Sequence, residues 1–225
     1  MIEKYITNEY EIVDDFKKLQ VSAVDVNLCV EQSNNDKTKI VFCCKKNRKY
    51  EFGVIDGVLT IQLQKKKWYN YLKLGFKRAN IKICLPKTIL EGVNVKANVG
   101  LVDVSCLNCN GQVDIKLNCG KVTVSDSKCN TFNLIGNTGS ITLNNLDAND
   151  SLFVRSNTAK VFLNDCNSRE FIIKTNTGNV YGKLPKNTAF NVKTNTGKIE
   201  LPKAEIGSAI TTTCEVKTNT GNIKF

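Results

Sequence analysis

The chain has 225 residues, with 32 Lys or Arg against 21 Asp or Glu, and a formal charge of +11. It contains no histidine, which removes the commonest general base and zinc ligand, and with it every Ser-His or Cys-His nucleophile. No apolar run approaches the ~18 residues of a membrane span, and the charged start Met1-Ile-Glu-Lys-Tyr5 is no signal peptide. The expected location is therefore the cytoplasm, with the cell surface open only to a route the sequence does not display.

The charge is unevenly spread. Residues 1–36 hold three Lys and eight acids, residues 37–87 hold fourteen Lys or Arg and two acids, and the rest holds fifteen and eleven. The acidic start leaves Glu9 to Leu19 open between a short helix and an extended lead-in. From there Val24, Val26, Leu28 and Val30 alternate with polar residues, the period of a half-buried strand. Asn34-Asn35-Asp36 predicts a turn before a second strand at 38–44. Tyr50 to Ile55, Asp56-Gly57 and Val58 to Leu63 predict a hairpin with a two-residue turn. Lys65, Lys66, Lys67, Trp68, Tyr69 and Tyr71 then form a basic patch interleaved with aromatics. Such a patch can stack bases, sit at a membrane interface, or guard a sheet edge. Leu72, Leu74, Ile81 and Ile83 predict a degenerate coil with Ala79 at its corner.

Beyond this point the sequence repeats itself. Aligned on Gly100, Gly120, Gly139, Ala159, Gly178, Gly197 and Gly221, the copies are spaced 20, 19, 20, 19, 19 and 24 residues apart. Two positions before the corner stands Asn98, Asn118, Asn137, Asn157, Asn176, Asn195 or Asn219. Positions −7, −5 and +2 are apolar in every copy. Period-two alternation on both sides of a corner means strand, corner, strand, each with one buried face. A fixed period of this size means a stack in which each repeat buries its core against its neighbours.

The expected fold is all-β: one parallel β-solenoid, right-handed, of about 19–20-residue coils. Residues 1–70 form its N-terminal β cap and 71–225 its repeats, in one continuous domain. The Asn-x-Gly corners are expected to need positive φ, with Ala159 costing about 0.5–1 kcal/mol there, and the stacked asparagines to form a hydrogen-bonded ladder. The last copy runs into Phe225 with nothing after it, so that end is expected to pair with another chain or to be covered by the 207–214 insertion.

These residues resemble a known family. Val24-Asp-Val-Asn-Leu28, the Asp56-Gly57 hairpin, Lys65–Phe76, Ile81-Lys-Ile-Cys-Leu-Pro-Lys87 and the Asn-Thr-Gly repeats are similar to the bacterial putative-adhesin domain, a β-strand-repeat family of unknown function. The resemblance covers about residues 10–225 and implies a β-helix, often attached to a membrane anchor. Its usual Ser-Ser-Gly or Ser-Thr-Gly corner is Asn-Thr-Gly here, and an anchor is not expected from these residues.

Candidate chemistry is sparse. Asp103, Asp126, Asp147 and Asp165 fall at different offsets of their repeats, so no carboxylate pair is expected to act as an acid and base. Cys106-x-x-Cys109 lacks the second pair of a zinc ribbon, so ten free thiols in a reducing compartment are expected, with no metal and no cofactor. The row four positions before the corner stands out: Lys96, Lys116, Ile135, Arg155, Lys174, Lys193 and Lys217, all pointing outward. Long side chains splaying into water explain such a row, and so does an anionic polymer lying along it.

The expected function is a non-enzymatic, adhesin-like scaffold or binding surface for an extended anionic ligand, such as a polysaccharide or another polyanion. The alternative is a cytosolic protein-interaction or regulatory module acting through the basic patch or an open edge, where a homo-oligomer would also form.

Overall fold

A computed structural model describes residues 5–32, 36–46, 48–63, 78–203 and 209–225. The patch Lys65 to Tyr71, with Leu72 and Leu74, lies outside the described residues, as does part of the 207–214 insertion. Among the described residues there is no helix; Glu9–Ile12 is strand, which settles the ambiguous lead-in. The strands are β1 (Tyr5–Ile12), β2 (Lys18–Gln32), β3 (Thr38–Lys45), β4 (Tyr50–Ile55), β5 (Val58–Leu63), β6 (Ala79–Leu85) and β7 (Leu90–Ser105). They continue as β8 (Cys109–Asn164), β9 (Asn167–Thr177), β10 (Val180–Lys183), β11 (Thr188–Thr196), β12 (Ile199–Glu200), β13 (Thr212–Thr220) and β14 (Ile223–Lys224). All fourteen belong to one sheet that folds back on itself as a solenoid-like stack.

Each layer repeats the apolar columns of the one below. At position −5, Val95, Ile115, Leu134, Val154, Ile173 and Val216 are all buried, and at +2 so are Val102, Val122, Ile141, Val161, Val180 and Ile223. Ala79 pairs with Val26, which pairs with Gly100, so Ala79 does occupy the corner column, and Ile81 and Ile83 are buried beyond it. Val24 departs from its expected place. Leu19, Val21 and Ala23 point inward, the parity switches at the corner, and Val26, Leu28 and Val30 point inward after it. Val24 thus stands at the asparagine position of its layer.

The order of layers is not the order of the chain. β2 lies between the β5–β6 layer and β7, parallel to both, so residues 18–32 form an internal layer rather than part of an outer cap. At the opposite end, β13 lies between β9 and β11, and β14 between β10 and β12. Val180 N–H donates to Asn222 O at 2.9 Å, and Ile223 N–H to Lys198 O at 2.9 Å. The expectation that the layer reaching Phe225 is the exposed end is therefore corrected. That layer is sandwiched, and the layer of β11 and β12 is outermost. The chain steps over one layer between Lys183 and Thr188 and comes back to fill it with residues 212–224, which buries Cys214, Val216 and Ile223.

Two strand pairs close the N-terminal end. β1 runs antiparallel to β3, which runs antiparallel to β6, and β4 forms the expected hairpin with β5 through Asp56-Gly57. Tyr10, Phe42, Tyr50 and Phe52 meet there, with the Phe42 and Tyr50 rings stacked at 4.0 Å. Tyr10 and Tyr50 share a 2.9 Å hydrogen bond, which satisfies both hydroxyls of an otherwise apolar plug.

The corners match the expectation only in part: the glycines do take positive φ, but Ala159 and the asparagines do not. The column glycines have φ of 142–150°, far from the left-handed α region, and neither Ala159 nor any asparagine of the ladder has positive φ. What excludes a side chain is proximity: a Cβ on Gly178 would lie 1.8 Å from the carbonyl oxygen of Ala159 in the layer below. The left-handed corner sits six residues later, at Cys106, Asp126, Asn145 and Asp165, with φ of 48–55°. Asn and Asp tolerate that conformation through local hydrogen bonds.

Candidate binding face

The row at position −4 is real and aligned. Lys96 pairs in register with Lys116, Arg155 with Lys174, Lys174 with Lys217, and Lys217 with Lys193. Half-exposed Ile135 divides it, leaving Arg155, Lys174, Lys217 and Lys193 on four successive layers. Their strands hold inward residues on either side, so each side chain points to solvent.

One acid intrudes. Glu215, two residues before Lys217 on β13, lies 2.7 Å from Lys217 Nζ and 3.7 Å from Lys174 Nζ. The hydrogen bond from Lys217 holds its carboxyl below the usual carboxylate value. Among the described residues no ion pair involves Lys96, Lys116, Arg155 or Lys193. The row therefore keeps a strong positive excess.

The asparagine ladder runs alongside it in two stretches. Asn118 donates to Asn98 at 3.1 Å, and Asn176 donates to Asn157 at 3.2 Å. Asn219 donates to Asn176, and Asn195 to Asn219 at 3.2 Å, so the ladder follows the interleaved order. Asn137 uses its backbone oxygen instead, accepting from Ser156 Oγ. Row and ladder meet in an open groove of about 700 Å³, lined by Ile135, Phe153, Arg155, Lys174, Asn176 and Asn219 among others. It offers cations, amides, the Ser156 and Thr175 side chains and one aromatic ring.

Under the corner lies a buried hydroxyl column that sequence reading missed. Thr175 and Thr218 hydrogen-bond at 2.9 Å, and Thr218 Oγ1 also lies 3.3 Å from the carbonyls of Gly178 and Thr220. Its signal was the repeated Lys-Thr-Asn, in which Thr follows the outward Lys and so must face inward. Further amide contacts between layers, Asn149 to Asn130 and Asn164 to Asn144, escaped notice because their columns are incomplete.

All ten cysteines are free thiols. Cys106 is exposed and Cys109 buried, so that motif does not present two thiols to one site. Burial pushes the Cys129 and Cys214 thiols up to about 12, and Cys166 to about 11. Among the described residues no three Cys, Asp or Glu side chains form a group that would hold a metal ion.

An all-β solenoid-like stack defines the class of this protein. The chain belongs to the Toastrack DUF4097 family, whose model matches residues 16–225. Among solved structures, a putative adhesin from Bacteroides fragilis is 19% identical, with 99% of this chain and 97% of that one covered and a TM-score of 0.53. At that identity it shows the shared fold alone. A putative cell adhesion protein from Clostridium sporogenes is 14% identical over 98% of each chain, with a TM-score of 0.44. A putative lipid binding protein from Parabacteroides distasonis is 12% identical over 99% of this chain and 95% of that one, at 0.43. No curated protein matches the sequence.

Proposed function

We propose that this protein is a non-enzymatic, adhesin-like binding surface that holds an extended anionic polymer along Arg155, Lys174, Lys217 and Lys193. The observation that carries this reading is the alignment of four cations on four successive layers beside a groove rich in amides. Neighbouring strands lie about 4.8 Å apart, a repeat that a polymer with closely spaced charges can follow. Coils of 19–20 residues with right-handed winding are part of this reading, the latter by the general handedness of parallel crossovers. Ten free thiols suit a reducing compartment, so the polymer is to be sought first inside the cell.

The test is retention on immobilised heparin as salt is raised. The wild-type chain should elute at a defined salt concentration, and Arg155→Glu with Lys193→Glu should weaken binding by about tenfold. Absence of retention, or retention indifferent to both salt and the reversals, would overturn the proposal. Protease treatment of intact cells beside a cytosolic marker decides the compartment: degradation of this protein alone places it at the surface.

A further inference from the structure

The two ends of the stack are unlike. Aromatic rings plug the N-terminal end, and its edge acids Glu9 and Glu11 are tied to Lys39 and Lys37. At the other end the core lies open. Ile199 is 44% exposed, whereas residues of the same column in the internal layers are 0–3% exposed. Leu201 is 40% exposed, and Phe190 and Val192 are only partly covered.

The backbone is open as well. β12 pairs only with β14 and β11 only with β13, so among the described residues no strand lies beyond them. Lys198 O and Glu200 O accept from Ile223 N–H and Phe225 N–H. In a parallel ladder this turns the N–H and C=O of the intervening Ile199 away from β14, towards the open side.

We infer that the β11–β12 end is a tail-to-tail interface for a second copy of this chain. The segment Lys198-Ile199-Glu200 is complementary to itself under a two-fold axis at Ile199. Antiparallel pairing there makes the two Ile199 residues exchange both backbone hydrogen bonds, while their side chains close over the exposed cores. The same register sets Lys198 opposite the partner's Glu200, twice, on the outer face. Glu200 already lies 2.8 Å from Lys224 within its own chain, which holds it in place. A head-to-tail contact would bring this open core against the aromatic plug, where among the described residues no apolar opening receives it. The occupant is therefore a like end, and the assembly closes at two.

Sedimentation equilibrium of the full chain, from low micromolar to hundreds of micromolar, tests this. A monomer–dimer equilibrium is expected. Lys198→Glu alone and Glu200→Lys alone each place like charges opposite one another and should raise the dimer Kd about tenfold. An equimolar mixture of the two variants restores both opposite-charge pairs and should restore dimerisation. A wild-type chain monomeric at the highest concentration, an open-ended polymer, or a mixture no tighter than either variant alone would overturn the inference.

Discussion

Lys174 stands in register with Lys217, and not with Lys193, the next lysine of the row in sequence. Glu215 comes with Lys217 and reaches both lysines, so the interleaved layer brings an acid that tempers the row. Glu215→Gln would remove that anion without enlarging the side chain. If the row holds a polyanion, heparin retention should strengthen by roughly two- to fivefold. Unchanged or weaker retention would count against the row.

Replacing Gly178 with alanine forces a Cβ against the Ala159 carbonyl, and φ of 150° adds strain. Both costs fall on backbone, which cannot swing aside as a side chain does. The expected loss is about 3 kcal/mol, read as a lower urea midpoint. Ala159→Gly, at the same column in a relaxed conformation, should cost no more than about 1 kcal/mol.

Thr218→Val keeps the volume of the buried side chain and removes its hydroxyl. Thr175 then loses its partner and the Gly178 carbonyl loses a contact. A destabilisation of about 1–2 kcal/mol is expected in chemical denaturation. Thr175→Val combined with Thr218→Val should be less than additive, because the second change removes an already orphaned group.

Acid should weaken the N-terminal layers through Glu31. Its hydrogen bond from Lys82, at 2.8 Å, holds the carboxyl below its ordinary 4.5. A carboxyl with a lower folded than unfolded value stabilises the fold above the unfolded value, and that stability is lost as pH falls through the folded one. Lys82 stays charged throughout this window. Lys82→Met should therefore be less stable than wild type near neutral pH, with the gap narrowing as the pH drops below 4.5. Urea midpoints taken at several pH values read it directly.

Thiol labelling should sort the cysteines by layer. Cys106 is exposed at a left-handed corner and should react first with a thiol-specific disulfide reagent at mildly alkaline pH. Cys129, Cys166 and Cys214 are buried with raised pKa and should react only on unfolding. Rapid labelling of Cys214 in the folded chain would contradict its sandwiched position.

The columns were legible because a stack imposes the same burial on every layer: Val95, Ile115 and Leu134 are interchangeable in kind and so visible as a pattern. The order of layers was not legible, for the same reason. Lys174-Thr-Asn-Thr-Gly, Lys193-Thr-Asn-Thr-Gly and Lys217-Thr-Asn-Thr-Gly are identical, so any of the three satisfies its neighbours equally well. The left-handed corner was hidden because Cys106, Asp126, Asn145 and Asp165 share a backbone conformation rather than a side-chain type. Outward parity fixes the direction of the row's side chains but cannot foresee Glu215 beside them.

Interleaving at both ends also sets a timetable for synthesis. Residues 18–32 leave the ribosome before either layer that flanks them, so they have no seat until 58–63, 79–85 and 90–105 follow. Residues up to 183 then add layer upon layer as they emerge. Residues 188–200 reach their final neighbours only once 212–225 have been made, a delay on the order of seconds. Until then Phe190, Val192 and Ile199 lack their final neighbours, and Gly178 and Val180 offer an edge that either copy fits. The outermost layer is thus the last to close, and its apolar residues are open to wrong partners until residues 212–225 have taken their place.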